Sequence, residues 1–472
     1  MRPYFTKMST DQDSGLIFFD ITRLVMRVGR KTPTGVDRVE LAYALEILKR
    51  HPQRARFIVA LERMVQVVPR AVARRFLTLT DQSWRDQTNK QSLVAAERIA
   101  AFLSTDASHF MPRMGDVTTQ ANKMLLAANM LIGGALKNLM PRGLQAYSAS
   151  PQHNVYIHVA GSHYKSAWID RWLARSPSVS SIFLLHDIIP LTHPEYCKVK
   201  VPQRHGRYVR RVLKVADVVI ANSTFTATAL KNFAADKALK SPNIVVSKLG
   251  TSEVFEREML PAIKTKPYFV FVGTIEPRKN HIMLLQVWPR IIAKLGADAP
   301  KLILVGKRGW ENENIVDILE RAHMSDQHIL ECNDLSDEAL ATLIRNARAA
   351  LMPSHVEGYG LPVAEALSLG TPVICSDLDP FREIAGDVPE YVDPLAGRGW
   401  AKLIMEYTRE NSAARKAQLD RIRTFRPPSW CAHFDTVGQV IETLCAQPQA
   451  KLGETSVPTP PQQTVRPLLS VN

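Results

Sequence analysis

Two glutamates eight residues apart, Glu357 and Glu365, flank a Gly-Tyr-Gly-Leu-Pro turn in the stretch HVEGYGLPVAEAL. An adjacent pair of cations, Arg278 and Lys279, stands in GTIEPRKNH, directly after the apolar run YFVFV. Carboxylates accept hydrogen bonds from sugar hydroxyls, and Arg and Lys neutralise phosphate. Gly358 and Gly360 give the turn a permissive backbone, and Pro362 suits the first position of a helix that Gly370 stops. The unbonded amides at such a helix start, around Gly360 and Leu361, form a place for an anion. Together these groups suit a ligand with phosphate in the middle and hydroxyl-bearing rings on both sides.

Such groups need a scaffold that holds them at one mouth. In the C-terminal half, β-rich apolar runs at 268–272, 302–305, 328–332, 350–352 and 373–375 alternate with helical patterns such as 337–347 and 362–369. Apolar runs bounded by turns predict strands buried on both faces, hence a parallel doubly wound sheet with ligands at the carboxyl ends of its strands. The N-terminal half repeats the theme, with strands predicted at 16–22, 57–61, 155–159, 182–185, 218–221 and 244–246 and an amphipathic helix in VDRVELAYALEILKR. The fold class expected is α/β, as two Rossmann-like domains facing a cleft. The expected domains are 1–262 and 263–446, with the last helices packing back and 447–472 a proline-rich, disordered tail. A helical insertion is expected at about 65–149. Within it, KMLLAANMLIGGALKNLM (residues 123–140) reads either as a helix packed on its own domain or as an interfacial helix touching a bilayer or a lipid-linked substrate.

With 472 residues the chain suits two domains, and 46% hydrophobic with 22% charged residues excludes global disorder. The formal charge of +15 is uneven: up to residue 262 there are 37 Lys and Arg against 20 Asp and Glu, and beyond it 23 against 25. A basic N-terminal half attracts nucleic acid, anionic lipid or phosphorylated substrates alike, and no zinc-finger, RNP-type or helix-turn-helix signature favours the first. The five scattered cysteines have no metal-ligand spacing and suit a reducing compartment. No apolar run is long enough to span a membrane and the N-terminus lacks a secretion signal, so a cytoplasmic protein is expected.

The motifs PTG (33–35), LLHDIIP (184–190), ANSTFT (221–226), KLGTSEVF (248–255), GTIEPRKN (273–280), LVGKRGW (304–310) and EGYGLPVAE (357–365) occur in this order. As a series they resemble the retaining glycosyltransferases of family 4, with the GT-B fold, over residues 16 to about 446. The resemblance implies that Arg278 and Lys279 hold the donor diphosphate, that Glu365 binds ribose and that Glu357 faces the transferred sugar. It places the backbone around Gly306, Lys307 and Arg308, and around Asn333 and Leu335, at the base. It sets His186 beside the donor sugar with Asp187 supporting its loop, and brings Gly35 and Gly273 close to the phosphates, with Gly358, Tyr359, Gly360 and Leu361 lining the same site. The combination HDIIPLTHPE, GTIEPRKN and GKRGW looks most like bacterial mannosyltransferases of O-antigen, capsule and exopolysaccharide assembly. That likeness implies a GDP-mannose donor, a lipid-linked oligosaccharide acceptor, peripheral contact with the inner face of the membrane, and no cofactor, metal or nucleic acid. A dTDP-rhamnose or UDP-sugar donor, or a non-catalytic nucleotide-sugar-binding scaffold, are the alternatives. An epimerase would need acid/base groups around the sugar, and a phosphorylase a pyridoxal-binding lysine; neither is recognisable.

Overall fold

The structure, a computed structural model, describes residues 15–29, 33–61, 64–85, 90–111, 122–130, 153–161, 164, 167–256, 263, 265–321 and 327–447. Two sheets organise it. The first comprises β1 (Ile17–Asp20), β2 (Ala55–Leu61), β3 (Met64–Val68), β4 (Asn154–His158), β5 (Val179–Leu185), β6 (Val218–Ala221) and β7 (Asn243–Val246), in the order β3-β2-β1-β4-β5-β6-β7. All its neighbours are parallel except the β2–β3 hairpin. The second comprises β8 (Tyr268–Val272), β9 (Lys301–Val305), β10 (Ile329–Cys332), β11 (Ala349–Met352), β12 (Val373–Ser376) and β13 (Glu390–Val392), wholly parallel in the order β10-β9-β8-β11-β12-β13.

Helices cover both faces of each sheet, and the central strands are correspondingly apolar: every residue of β1, β5 and β11 is buried. Each strand read from the sequence is present, and two short ones escaped it. β13 has only three residues, too few to show a period. β3 opens the stretch expected to be a helical insertion, which therefore begins by extending the sheet. Helices Arg70–Arg85 and Lys90–Leu103 and a turn at Ala107–Phe110 come next. Of the 123–140 segment only residues up to 130 are described; the stretch 122–130 is helical, with Ala127 and Met130 in the core and Met124 and Leu125 exposed. The remainder, and the tail after 447, lie outside the described residues. Among the described residues no helix is long and apolar enough to cross a membrane.

The insertion touches the second sheet at its β10 edge. Arg98 donates from Nη2 to the Glu331 carbonyl at 3.4 Å, the Lys301 ammonium reaches the Phe102 carbonyl, and the Ala107–Phe110 turn packs on helix Asp337–Arg345. The last helix, Trp430–Cys445, crosses back from the second sheet to the first. There His433 meets Tyr43 Oη at 2.6 Å through Nε2 and Ser247 Oγ at 2.8 Å through Nδ1, while Arg50 pairs with Asp435 and Arg54 with Glu442.

His433 is almost wholly buried, and that burial pushes its imidazole down to about 4. Between pH 6.5 and 4 the unfolded chain binds a proton that the folded one refuses, so its contribution is complete above pH 6.5 and falls as pH drops towards 4. The loss amounts to about 3 kcal/mol. Thermal unfolding followed from pH 7.5 to 4.5 is expected to lose stability more steeply in the wild type than in His433→Gln; equal slopes would remove this role.

Candidate functional site

The site lies where the carboxyl ends of β8 and β11 meet the first sheet. After β8 the chain makes one turn of 3₁₀-helix, Pro277–Lys279, and then reverses at Asn280 with φ 58° and ψ 36°. That left-handed geometry suits Asn better than most residues. Asn280 is anchored by its side-chain amide, which donates to the carbonyls of Pro353 at 3.1 Å and Pro394 at 3.0 Å. Arg278 and Lys279 are thereby fixed beside the loop that comes after β11.

Glu357 receives both cations. Its Oε2 accepts from Arg278 Nη1 at 2.7 Å, and its Oε1 from Lys279 Nζ at 2.5 Å and Ser354 Oγ at 2.8 Å. Glu276 closes the cluster from the other side, 2.6 Å from Arg278 Nε. Burial by itself would raise the Glu357 carboxyl, but Arg278 and Lys279 outweigh it and hold the group down at about 2. Burial lowers Lys279 despite Glu357, and raises Glu276. The result is a buried, nearly neutral assembly of two cations and two carboxylates.

Eight residues on, Glu365 stands on helix Leu361–Ser368, also buried, with its carboxyl pushed up by burial to about 7. Gly360 caps that helix at φ 112°, where a Cβ would also lie 2.7 Å from Phe381. Its carbonyl accepts from the amides of Val363 and Ala364, and among the described residues the amides of Gly360 and of the half-buried Leu361 make no hydrogen bond. Leu361 is the first helical residue and Pro362 the second, so these two amides stand at the helix start.

The first sheet supplies the opposite wall. His186, just after β5, donates from Nε2 to the Val159 carbonyl at 2.8 Å, and burial lowers its imidazole, so it stands neutral with Nδ1 as an acceptor. Its own carbonyl accepts from Asn222 at 2.9 Å. Gly358 fits directly against this loop: a Cβ there would lie 2.7 Å from Asp187 Cβ and 2.8 Å from the His186 carbonyl. The Gly358 carbonyl accepts from Ser223 Oγ at 2.7 Å and Thr226 Oγ1 at 3.2 Å. Tyr359 donates its phenol to the Leu249 carbonyl at 2.5 Å and serves as a strut between the domains. Trp310 and His355 meet Tyr196 in the same way, by a hydrogen bond of 3.2 Å and by ring stacking at 5.4 Å.

The remaining residues singled out in the sequence are more dispersed. Gly306 packs on the Gly273 backbone, where a Cβ would come within 1.9 Å of its carbonyl oxygen, so the close approach of the loops after β8 and β9 requires a glycine at 306. The side chain of Lys307 is 3.1 Å from Asp334, and that of Arg308 is held by Glu331 and Glu320. Asn333 is exposed beyond β10 and Leu335 is buried. Gly35 opens helix Gly35–Arg50 in front of open space, behind a capping box of Thr34 and Asp37.

Several members of the site were not singled out in the sequence, although Glu276, Ser223 and Thr226 lie inside quoted motifs. Glu276 meets Arg278 and Ser354 meets Glu357, while Ser223, which also caps its own helix, and Thr226 donate to a carbonyl more than a hundred residues away. Asp20, ending β1, is buried and accepts from Thr22, from Tyr156 Oη at 3.0 Å and from His158 at 3.3 Å. Asp37 binds Arg23 at 2.8 Å and Arg27 at 3.0 Å. Asp37 thus ties Arg23 and Arg27 to the first turn of helix Gly35–Arg50. Arg38, in the first turn of the same helix, crosses to the other domain and meets Asp337 at 2.5 Å.

Residues 253–394 match the family described as Glycosyl transferases group 1. The chain is 33% identical over 230 residues to O-antigen chain mannosyltransferase B of Escherichia coli, covering 45% of this chain and 57% of that protein. It is 28% identical over 248 residues to the serotype-specific mannosyltransferase WbdA of the same organism, covering 49% and 30%. It thus spans less than two thirds of the length of these relatives. Among solved structures, sucrose-phosphate synthase from Thermosynechococcus elongatus superposes with a TM-score of 0.52 at 16% identity, over 91% of this chain and 99% of that one. Anabaena Alr3699/HepE in complex with UDP gives 0.51 at 14% identity, over 90% and 99%. At these identities the likeness concerns the fold, which is GT-B.

Because Gly358 leaves no room for a methyl group, Gly358→Ala is expected to push the Glu357 loop off the His186–Asp187 loop. Small-angle scattering should then give a larger radius of gyration than the wild type, with an unchanged far-ultraviolet dichroism spectrum; superimposable scattering curves would show that the contact is not needed for closure.

Proposed function

We propose, for a chain whose residues 253–394 belong to the glycosyl transferases group 1 family, that the protein transfers mannose from GDP-mannose to a lipid-linked oligosaccharide in bacterial surface-polysaccharide assembly. The observation that carries the reading is the pairing of Arg278 and Lys279 with Glu357 beside the open amides of Gly360 and Leu361. The mannosyltransferase relatives support the sugar.

Cleavage of the glycosyl–phosphate bond puts positive charge on the sugar ring and negative charge on the leaving diphosphate. Fixed cations and helix amides stabilise the second, in a site from which the docked domains exclude water. In this reading the diphosphate lies between Arg278, Lys279 and the helix start, Glu365 accepts hydrogen bonds from ribose, and Glu357 and neutral His186 face the sugar. A sugar hydroxyl would share Glu357 with the cations that already occupy both its oxygens. Configuration is retained: the acceptor hydroxyl bonds to the anomeric carbon on the face the phosphate leaves, and its proton passes to a leaving phosphate oxygen. No side chain is assigned as general base, and no metal ion is invoked.

The acceptor's lipid would lie against an exposed basic face. Lys198, Lys200, Arg204, Arg207, Arg210 and Lys214 are all exposed, and none pairs with a carboxylate among the described residues. Helix Val201–Val215, which carries four of them, begins at the cleft, where His205 meets the Asp187 carbonyl at 3.2 Å. Each cation near an anionic bilayer contributes about 1 kcal/mol.

Three experiments test this. Calorimetry with GDP-mannose, dTDP-rhamnose and UDP-glucose is expected to select GDP-mannose, and Lys279→Ala to lower turnover roughly 10²–10³-fold. Selection of another nucleotide would correct the donor, and near-normal turnover in the variant would remove the diphosphate role. Donor binding without turnover on any acceptor preparation would favour a scaffold. Vesicles rich in phosphatidylglycerol should sediment the protein at low salt and release it when Arg204, Arg207 and Arg210 become Glu, whereas equal binding to phosphatidylcholine would exclude the basic face.

A further inference from the structure

Arg278 leans on the loop after β11 at three points. The His355 amide donates to its carbonyl at 2.8 Å, while its own Nη1 donates to the Val356 carbonyl at 3.2 Å and to Glu357 Oε2 at 2.7 Å. Residues 353–360 of that loop form neither helix nor strand, so the aim of the guanidinium depends on what holds the loop from outside. Its far end rests on the first domain through Gly358 and Tyr359. At its near end the support is an aromatic face: the half-buried imidazole of His355 stacks on the ring of Tyr196, with centroids 5.4 Å apart and planes 3° from parallel.

Tyr196 belongs to the first domain, in the turn Pro194–Tyr196 between β5 and helix Val201–Val215. That turn is anchored on its own account. The His193 ring stacks on Tyr196 at 6.3 Å and 19°, and the Tyr196 carbonyl accepts from Trp310 Nε1 at 3.2 Å. The phenol hydroxyl makes no hydrogen bond among the described residues. The ring face is therefore the part of this side chain that reaches the second domain.

We propose that Tyr196 is a positioning residue for Arg278: from the N-terminal domain its ring holds His355, and through the His355–Glu357 loop it keeps the guanidinium aimed at the donor diphosphate. This rests on the reading of Arg278 as a diphosphate ligand given above. A binding group has to stand within about 0.5 Å of its productive position, a tolerance that an unbraced loop does not meet. The cations of one domain are then in register only while the other domain is docked, so donor binding and docking strengthen one another.

The experiment is calorimetric titration of the full chain with GDP, UDP and dTDP in parallel, following whichever binds. Tyr196→Ala keeps the carbonyl that Trp310 holds and removes only the ring; it is expected to weaken binding roughly three- to tenfold, the worth of one aromatic pair. Tyr196→Phe should bind like the wild type, because the ring face is kept and the hydroxyl is idle. His355→Ala should cost as much as Tyr196→Ala, and the double variant no more than either alone. General loosening of the fold would instead lower the thermal stability of each variant and multiply the losses in the double one. Arg278→Lys should weaken binding in every case. If it does so while Tyr196→Ala binds like the wild type, or while Tyr196→Phe fails to rescue, or while the two losses multiply, the inference fails and the site stands. If Arg278→Lys binds like the wild type, or none of the three diphosphates binds, the site itself is misassigned and the inference falls with it.

Discussion

Two cations side by side at the mouth of a sheet repel one another and lose solvation when covered, and Glu357 is what lets Arg278 and Lys279 share that place. It gives one oxygen to each, with Ser354 holding the second of these bonds in register. Burying such a cluster is costly, and removing one partner would leave an uncompensated charge worth about 3–5 kcal/mol. The geometry of the loop after β11, the turn after β8 and the left-handed Asn280 all serve to keep this carboxylate between these cations. The same demand explains a cluster of nearly zero net charge in which both cations are fixed in advance by carboxylates.

The loop that carries Glu357 is also the loop on which the domains meet. Gly358 has no side chain because the His186–Asp187 loop occupies that space, and its carbonyl is taken by Ser223 and Thr226. Tyr359 continues the contact at Leu249. The residue that organises the cations and the residues that close the cleft are thus neighbours in the chain, so cleft geometry and cation placement are mechanically linked. The last helix, through His433, and the insertion, through Arg98 and Phe110, tie the two sheets together at other points.

Much of this was legible in the sequence because the governing signals are local. Buried parallel strands appear as apolar runs, which is why each of the expected strands of both sheets is found, and why three-residue β13 and the β3 arm of a hairpin were not foreseen. Glu357, Glu365, Arg278 and Lys279 announce themselves by spacing next to glycines and a strand end. Tyr359 and Arg308 show the limit of such reading. Each sits inside a motif, yet the phenol of one braces the domains and the guanidinium of the other is held by Glu331 and Glu320.

By itself the sequence determined the two doubly wound sheets, the glycine turns and the chemical types gathered at the strand ends, since backbone propensity and hydrophobic period act over a few residues. Only the tertiary structure decided how those types are charged and paired. It set Glu357 near 2 and Glu365 near 7, although both are glutamates of one short motif, because one is buried against two cations and the other against apolar walls. It also brought Arg38 to Asp337 across 299 positions of chain. Desolvation and Coulomb attraction depend on distance in space, and no spacing along the chain encodes them.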